Sequence, residues 1–330
     1  MAGTDVAIIP AMNTATEHNT PKVQWLEIDE GHCEQRLDNF LITFLKGVPK
    51  TRIYRMVRKG EVRVNKGRVD VSYKLALGDI VRIPPVRVAE RDDDIIVQPT
   101  LKYSLEHHIL YEDDGFIVLN KPSGFAVHGG SGVNSGVIEA LRQLRPQQKF
   151  LELVHRLDKE TSGCLLIAKK RSVLKLLHEM FRGDGMQKTY LALLTGQFKR
   201  KKQTVDVPLL KNIAQGGERM VVVSQAGKAA ETLFTRLKQF EAATLVHAAP
   251  KTGRTHQIRV HAAWLGHPIV GDDRYGEDES NKAFKKRGYK RLFLHAEQLQ
   301  FVHPVTGKAL HFFAPLPDDL QILLDHEKPL

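Results

Sequence analysis

Leu153-Val154-His155-Arg156-Leu157-Asp158-Lys159-Glu160-Thr161-Ser162-Gly163 sets ionisable and polar groups in a short loop and runs straight into Cys164-Leu165-Leu166-Ile167-Ala168. Five small or apolar residues without a break read as a strand buried on both faces. The Asp158 carboxylate stands six residues before that run, next to an arginine-containing segment, and is therefore held near the core. A charge stays in such a place only when it is paired or working. Spacing alone leaves two readings open. Either the arginine and Asp158 form a structural ion pair that fixes the loop, or Asp158 is the working group of a site.

The chain around this loop has 330 residues, which predicts about two domains at roughly 150 residues each. Its 42% apolar and 26% charged residues are those of a globular protein with an ample core. The net charge of +11 is less ordinary and favours a polyanionic partner. Nucleic acid is preferred over membrane, because no basic amphipathic anchor is visible. Two distant cysteines, Cys33 and Cys164, build neither a disulfide framework nor a thiolate zinc site, which fits a reducing cytoplasm. No apolar run approaches the ~18–20 residues needed to cross a bilayer. Residues 1–20 contain no Lys or Arg, so no targeting peptide is expected, and 1–22 is read as a disordered tail.

A first domain is expected over 23–85. Val23 to Ile28 reads as a strand, and Leu37, Phe40, Leu41 and Phe44 fall at helical spacing. A second helix, with Thr51 as its cap, carries Ile53, Met56 and Val57 on one face and Arg52, Arg55, Arg58 and Lys59 on the other. Strands are expected at Glu61–Asn65 (with Arg63), near Val69–Val71, and at Ile80–Ile83. From Leu45 to Arg91 there are thirteen Lys or Arg against four Asp or Glu. Such a run is either a solvated face or a phosphate-binding surface whose affinity falls with salt. A linker over 86–103 follows, marked by Pro84-Pro85 and Asp92-Asp93-Asp94.

The remainder, 104–330, alternates strands with few crossover helices. Strands are expected at Phe116–Asn120, Cys164–Ala168, Gln187–Leu194, Met220–Val223, Glu231–Leu237, Ala243–Ala249, Leu292–His295 and Ala309–Phe313, with a helix ending near Phe181. That pattern predicts an α+β fold around a mixed, mainly antiparallel sheet. Gly129-Gly130-Ser131-Gly132 is not a P-loop, because no Gly-Lys-Ser/Thr follows, and reads as a plain turn. Thr255 is expected to cap a helix closed by Gly266 and Pro268, on which His256 and Arg259 share a face.

Fifteen histidines raise the question of a metal, but His256, His261 and His267 lack the spacing of a helical zinc pair, and no metal site is expected. A Gly-x-Ser-x-Gly nucleophile elbow is missing, which argues against a serine hydrolase. Glycoside hydrolysis needs a second carboxyl group, and no acid besides Asp158 is singled out by its context.

Val154 to Ala168 resembles the signature segment of the RluA-type pseudouridine synthases. Asn120-Lys121-Pro122-Ser123-Gly124 resembles their first motif, Lys188-Thr189-Tyr190 the segment with an active-site tyrosine, and Gly253-Arg254-Thr255-His256-Gln257-Ile258-Arg259-Val260-His261 their third. In the N-terminal part, Arg36-Leu37-Asp38, Arg52 to Gly60, Val62 to Asn65 and Gly78-Asp79 resemble the S-four-type RNA-binding domain. The resemblance implies that Asp158 is the catalytic residue, that Arg259 pairs with it and keeps it ionised, and that Tyr190 packs against a flipped uracil. Arg156 would fill the space the uridine leaves. Further RNA contacts are expected from His155, Lys121, Arg254 and His256, and from the basic helix and Arg63. The implied substrate is large-subunit (23S) ribosomal RNA in the cytoplasm, with no cofactor, no membrane, no obligate protein partner, and a monomeric enzyme. Two rivals remain: a non-catalytic RNA-binding or assembly factor, and a metal-dependent RNA hydrolase.

Overall fold

In the first unit, two helices close over three short strands. The computed structural model describes residues 22–29, 31–45, 47–86, 99–129, 135–213 and 219–330, and the chain divides into two units, Met1–Ile95 and Ile96–Leu330. The expected tail up to residue 21, the linker from 87 to 98 and the loop positions 130–134 lie outside the described residues.

The first unit contains β1 (Gln24–Glu27), α1 (Leu37–Phe44), α2 (Lys50–Arg58), β2 (Arg63–Val64) and β3 (Ile80–Ile83). Its antiparallel sheet has the order β1-β3-β2. Leu37, Phe40 and Leu41 of α1 and Ile53, Met56 and Val57 of α2 form its core with Val81. The apolar stripe of α2 is buried as its spacing predicts, which leaves Arg52, Arg55, Arg58 and Lys59 exposed.

Two local expectations fail here. Pro49, not Thr51, flanks the start of α2; its ring fixes a φ suited to helix entry. Val69–Val71 forms no strand. The Val71 and Tyr73 carbonyls instead accept the Asp38 and Leu37 N–H groups at 3.0 and 2.8 Å, satisfying the open first turn of α1. The expected Glu61–Asn65 strand shortens to β2, because Asn65 and Lys66 turn the chain at φ 50° and 67°.

The second unit runs α3 (Pro99–His107), β4 (Ile109–Glu112), β5 (Phe116–Lys121), α4 (Val137–Leu144), β6 (Glu152–Leu153), β7 (Ser162–Ala168), α5 (Arg171–Arg182), β8 (Met186–Thr195), β9 (Lys202–Asp206), β10 (Leu209–Ile213), β11 (Arg219–Val223), β12 (Glu231–Gln239), β13 (Ala243–Pro250), α6 (Gln257–Trp264), α7 (Asp278–Lys286), β14 (Leu294–Val302), β15 (Ala309–Phe313) and α8 (Asp318–Asp325). Helix α3 thus starts within the stretch expected as linker.

The main sheet has the order β4-β5-β7-β14-β8-β13-β12-β9, with β15 added on β14 and β6 on β7. Only the β7–β14 pairing is parallel among these. This is the mixed, mainly antiparallel α+β sheet that the sequence predicts. Every residue of β7 is buried, as expected for a central strand covered on both faces. Strands β10 and β11 form a separate hairpin.

Gly163 fixes how β7 meets its parallel partner. Its φ is +108°, and a Cβ there would collide with the backbone of Ala296 on β14. The polypeptide therefore enters the centre of the sheet through a position that only glycine fills without strain. The loop before it is the site.

Candidate active site

Loop 154–161 is tied down from three sides. The Val154 N–H donates to Leu166 O at 3.0 Å, and the Leu166 N–H donates to His155 Nε2 at 3.0 Å. Lys121 Nζ donates to the carbonyls of Pro122, Phe125 and Lys159 at 2.8, 2.9 and 3.1 Å. Ser123 Oγ donates to Glu160 O at 2.7 Å. At the loop's end, Ser162 Oγ meets His295 Nδ1 at 2.9 Å, and His295 Nε2 donates to Ala314 O at 2.9 Å. The first motif thus clamps the loop that carries Asp158.

These bonds correct one expectation. Lys121 is fully buried and its three N–H groups are taken by carbonyls, so it braces the loop and does not face RNA. Burial pushes its pKa down to about 7. His155 is half-buried on the wall of the cavity that Asp158 faces: its ring stacks on Phe181 at 4.7 Å, and burial lowers its pKa to about 3. Neutral, it accepts a strand N–H, a structural task.

The Asp158 side chain is 29% exposed, with Arg259 Nη1 at 3.3 Å from Oδ2 and His256 Nε2 at 3.7 Å from Oδ1. Both reach Asp158, although His256 stands just outside the helix on which it was expected to share a face with Arg259. The expected pairing of Arg259 with Asp158, however, is the weaker half of its contacts. Arg259 Nε and Nη2 both donate to Asp272 at 2.7 Å, and Asp272 is completely buried. Burial alone would lower the Arg259 pKa, but the Asp272 hydrogen bonds and charge, followed by Asp158, hold it above its ordinary value. A guanidinium fork fits a carboxylate in this bidentate way, and Lys could not replace it.

Asp272 and Tyr275 are the functional residues that sequence reasoning missed. The signal was present: Ile269-Val270-Gly271 precedes Asp272, another acid placed beside a buried apolar run. The Tyr275 ring lies under the Arg259 guanidinium at 5.1 Å. Its hydroxyl accepts the Val221 N–H at 3.1 Å and stands 2.8 Å from His256 Nδ1. This contact holds the His256 ring with its other nitrogen, Nε2, toward Asp158. Burial lowers the His256 pKa, against the raising effect of Asp158.

The cap at the start of α6 also differs from expectation. Thr255 gives no side-chain cap, and His256 sits there at φ +53°. Gln257 instead braces the turn that leads into α6: its Oε1 accepts from the Arg254 N–H at 3.0 Å and Thr252 Oγ1 at 2.7 Å, while its Nε2 donates to Glu231 O at 2.9 Å.

Asp158 faces a cavity of about 930 Å³ whose wall includes Tyr190, His256, Ile258, Arg259 and Leu294. Tyr190, on β8 opposite Ala248, is partly buried, and burial together with the Asp158 charge raises its pKa, so the phenol keeps its proton. Arg156 is exposed at the cavity wall. Arg254 is exposed too, with its Nε donating to Ala229 O at 3.0 Å. Arg63 in the first unit is exposed, with its Nε on Gly60 O at 3.1 Å. Among the described residues no group of three or more His, Cys, Asp or Glu could hold a metal ion, and no helix is long and apolar enough to cross a membrane.

Asp158, the anchored Arg259 and Tyr190 thus share one cavity at the mouth of the mixed sheet, and the comparisons with known proteins supply the class. Residues 115–264 match the RNA pseudouridylate synthase family, and residues 35–81 match the S4 domain. The chain belongs to the RNA pseudouridylate synthase family.

Its relatives are more particular. It is 58% identical to the ribosomal large subunit pseudouridine synthase C of Yersinia pestis over 307 residues, 92% of this chain and 95% of that one. The protein of that name from Escherichia coli K12 is 56% identical, with 92% and 96% covered. Among solved structures, human RNA pseudouridylate synthase domain containing 1 aligns at a TM-score of 0.57 with 27% identity, covering 71% of this chain and 92% of that one. Human RNA pseudouridylate synthase domain containing 4 gives 0.56 and 27%, with 68% and 95% covered.

Proposed function

We propose that this enzyme converts specific uridines of large-subunit (23S) ribosomal RNA to pseudouridine, in the cytoplasm and as a monomer, as part of ribosome biogenesis. The observation that carries the reading is the partly exposed Asp158 carboxylate, which faces a cavity shared with Tyr190 and has Arg259 and His256 behind it. The names of the relatives supply the class of RNA.

The reaction breaks the bond from uracil N1 to ribose C1′ and makes one from C5 to the same carbon; C5 gives up its proton and N1 ends protonated, so the change is a net isomerisation. Asp158 acts at the sugar, as nucleophile on C1′ or as base and stabiliser of a cation-like ribose. Arg259 pairs with the carboxylate and orients it. A base within a helix is out of reach, so the uridine is flipped out, which costs roughly a few kcal/mol. Tyr190 replaces part of the lost stacking, Arg156 fills the space left in the RNA, and Arg254 and His256 line the cavity that receives the nucleotide. Phosphate contacts from a basic RNA-binding domain over 23–85, with Arg52, Arg55, Arg58, Lys59 and Arg63 exposed, help offset the cost for a catalytic domain over 104–330.

Mapping pseudouridines in ribosomal RNA from cells with and without the gene tests the reading: discrete large-subunit sites disappear when the gene is absent. An unchanged map would leave the non-catalytic assembly factor as the better description. Turnover by purified enzyme that is lost on chelation would favour a metal-dependent reaction instead.

A further inference from the structure

A second cavity, of about 450 Å³, lies behind the catalytic loop and shares Arg156, Leu157, Asp158, His256 and Arg259 with the first. Its far wall carries Arg274, Lys290 and Arg291, and Lys159 lines it from the catalytic loop. Two acids besides Asp158 also line it, Glu160 and Asp273. The six Lys and Arg residues of the lining outnumber these three acids. Asp273 is engaged by Lys285 at 3.0 Å, and Arg291 is held by Asp319 through Nε and Nη2 at 2.7 and 3.0 Å. Lys159 and Lys290 are exposed, and neither ammonium makes an ion pair among the described residues. Positive charge that protein acids leave unmatched, lining a concave wall, is the electrostatic form of a phosphate subsite.

We propose that this second cavity seats the RNA backbone next to the flipped uridine, with Lys290 on a phosphodiester that flanks the target nucleotide. The inference rests on the functional reading above and adds to it a place for the strand. The continuity of the two cavities through Asp158 carries it. A nucleotide whose C1′ lies at Asp158 has its base in the larger cavity, beside Tyr190. Its chain must continue, and the smaller cavity is the adjoining space lined with cations. Phosphate contacts of this kind set register without reading sequence, so Lys290 acts on the binding of every substrate alike.

The test uses full-length enzyme and a transcript of the substrate region. Lys290→Ala raises KM roughly five- to tenfold at moderate salt with kcat retained, and it lowers the slope of log(kcat/KM) against log salt by about 0.7, the value for one phosphate on a single strand. Lys290→Arg restores both. Lys282→Ala, an equal loss of charge on the exposed face of α7, behaves as wild type. Substrates that carry one neutral methylphosphonate at each linkage around the uridine locate the contact. At one linkage the modification weakens wild type and leaves Lys290→Ala unaffected, because the pair is coupled. Losses that add at every linkage, or a KM and salt slope that Lys290→Ala leaves unchanged, overturn the subsite. A wild-type enzyme that forms no pseudouridine in the transcript would overturn the functional reading, and the subsite with it.

Discussion

Arg259 is gripped by Asp272, not by Asp158. Two donors of its guanidinium meet the buried Asp272 carboxylate at 2.7 Å, and only Nη1 reaches Asp158, at 3.3 Å. A structural acid therefore fixes the arginine, which presents one edge to a second acid that stays exposed enough to react. Asp272 also accepts the Arg274 and Tyr275 N–H groups at 3.0 and 3.1 Å, so the turn that places Tyr275 depends on it as well.

Asp272→Asn follows directly. Removing one partner of a buried ion pair costs roughly 3–5 kcal/mol and frees the guanidinium to rotate onto Asp158. A misplacement of that kind lowers kcat about a hundredfold. Denaturant unfolding and single-turnover kinetics check both effects. A variant with wild-type kcat would show that Arg259 needs no such anchor.

Gly163→Ala tests the entry into β7. The φ of +108° and the Ala296 backbone leave no room for a Cβ, so backbone strain and overpacking add. The expected loss is roughly 3 kcal/mol or more in unfolding free energy. A stability change below 1 kcal/mol would mean that β14 gives way easily.

His155 gives a pH signature. Its folded pKa of about 3 lies below the ordinary 6.5, so between those values the unfolded chain holds a proton that the native state does not. Its contribution is fully present above pH 6.5 and is lost as the pH falls through 3. The slope over that window is at most about 1.4 kcal/mol per pH unit. In His155→Leu the dependence of unfolding free energy on pH should lose about one proton, while His261 and His295, also lowered by burial, stay in both proteins. An unaltered slope would show that His155 titrates normally.

The basic face of α2 should act through charge alone. Replacing Arg52, Arg55, Arg58 and Lys59 with alanine spares the buried Ile53, Met56 and Val57, so the fold survives. RNA affinity falls, and the salt slope flattens by up to about 3 if all four meet phosphates. Equal affinity and an unchanged slope would make the face merely solvated.

Legibility in the sequence followed how local each decision is. Cys164–Ala168 was readable because an unbroken apolar run has one economical home, the middle of a sheet. The apolar stripe of α2 was readable for the same reason. Val69–Val71 was not, since alternation marks strand propensity, whereas its carbonyls are claimed by α1. Lys121 looked like an RNA contact because charged side chains default to the surface; the carbonyls that hold it inside are tertiary. Asp272 meets Arg259 across thirteen residues of chain, and Asp158 meets Arg259 across 101. Spacing predicts no contact at that range, and the resemblance of the motifs, which pointed to Asp158 and Arg259, did not reach Asp272.

The central claim is that one carboxylate performs the chemistry, and the Asp158→Asn enzyme tests it most directly. Asn keeps the shape and removes the charge at a side chain that is partly exposed, so the fold is retained. Pseudouridine formation in a single-turnover assay should vanish while the affinity for RNA stays within about twofold of wild type. Turnover near the wild-type rate, with the same affinity, would contradict the account.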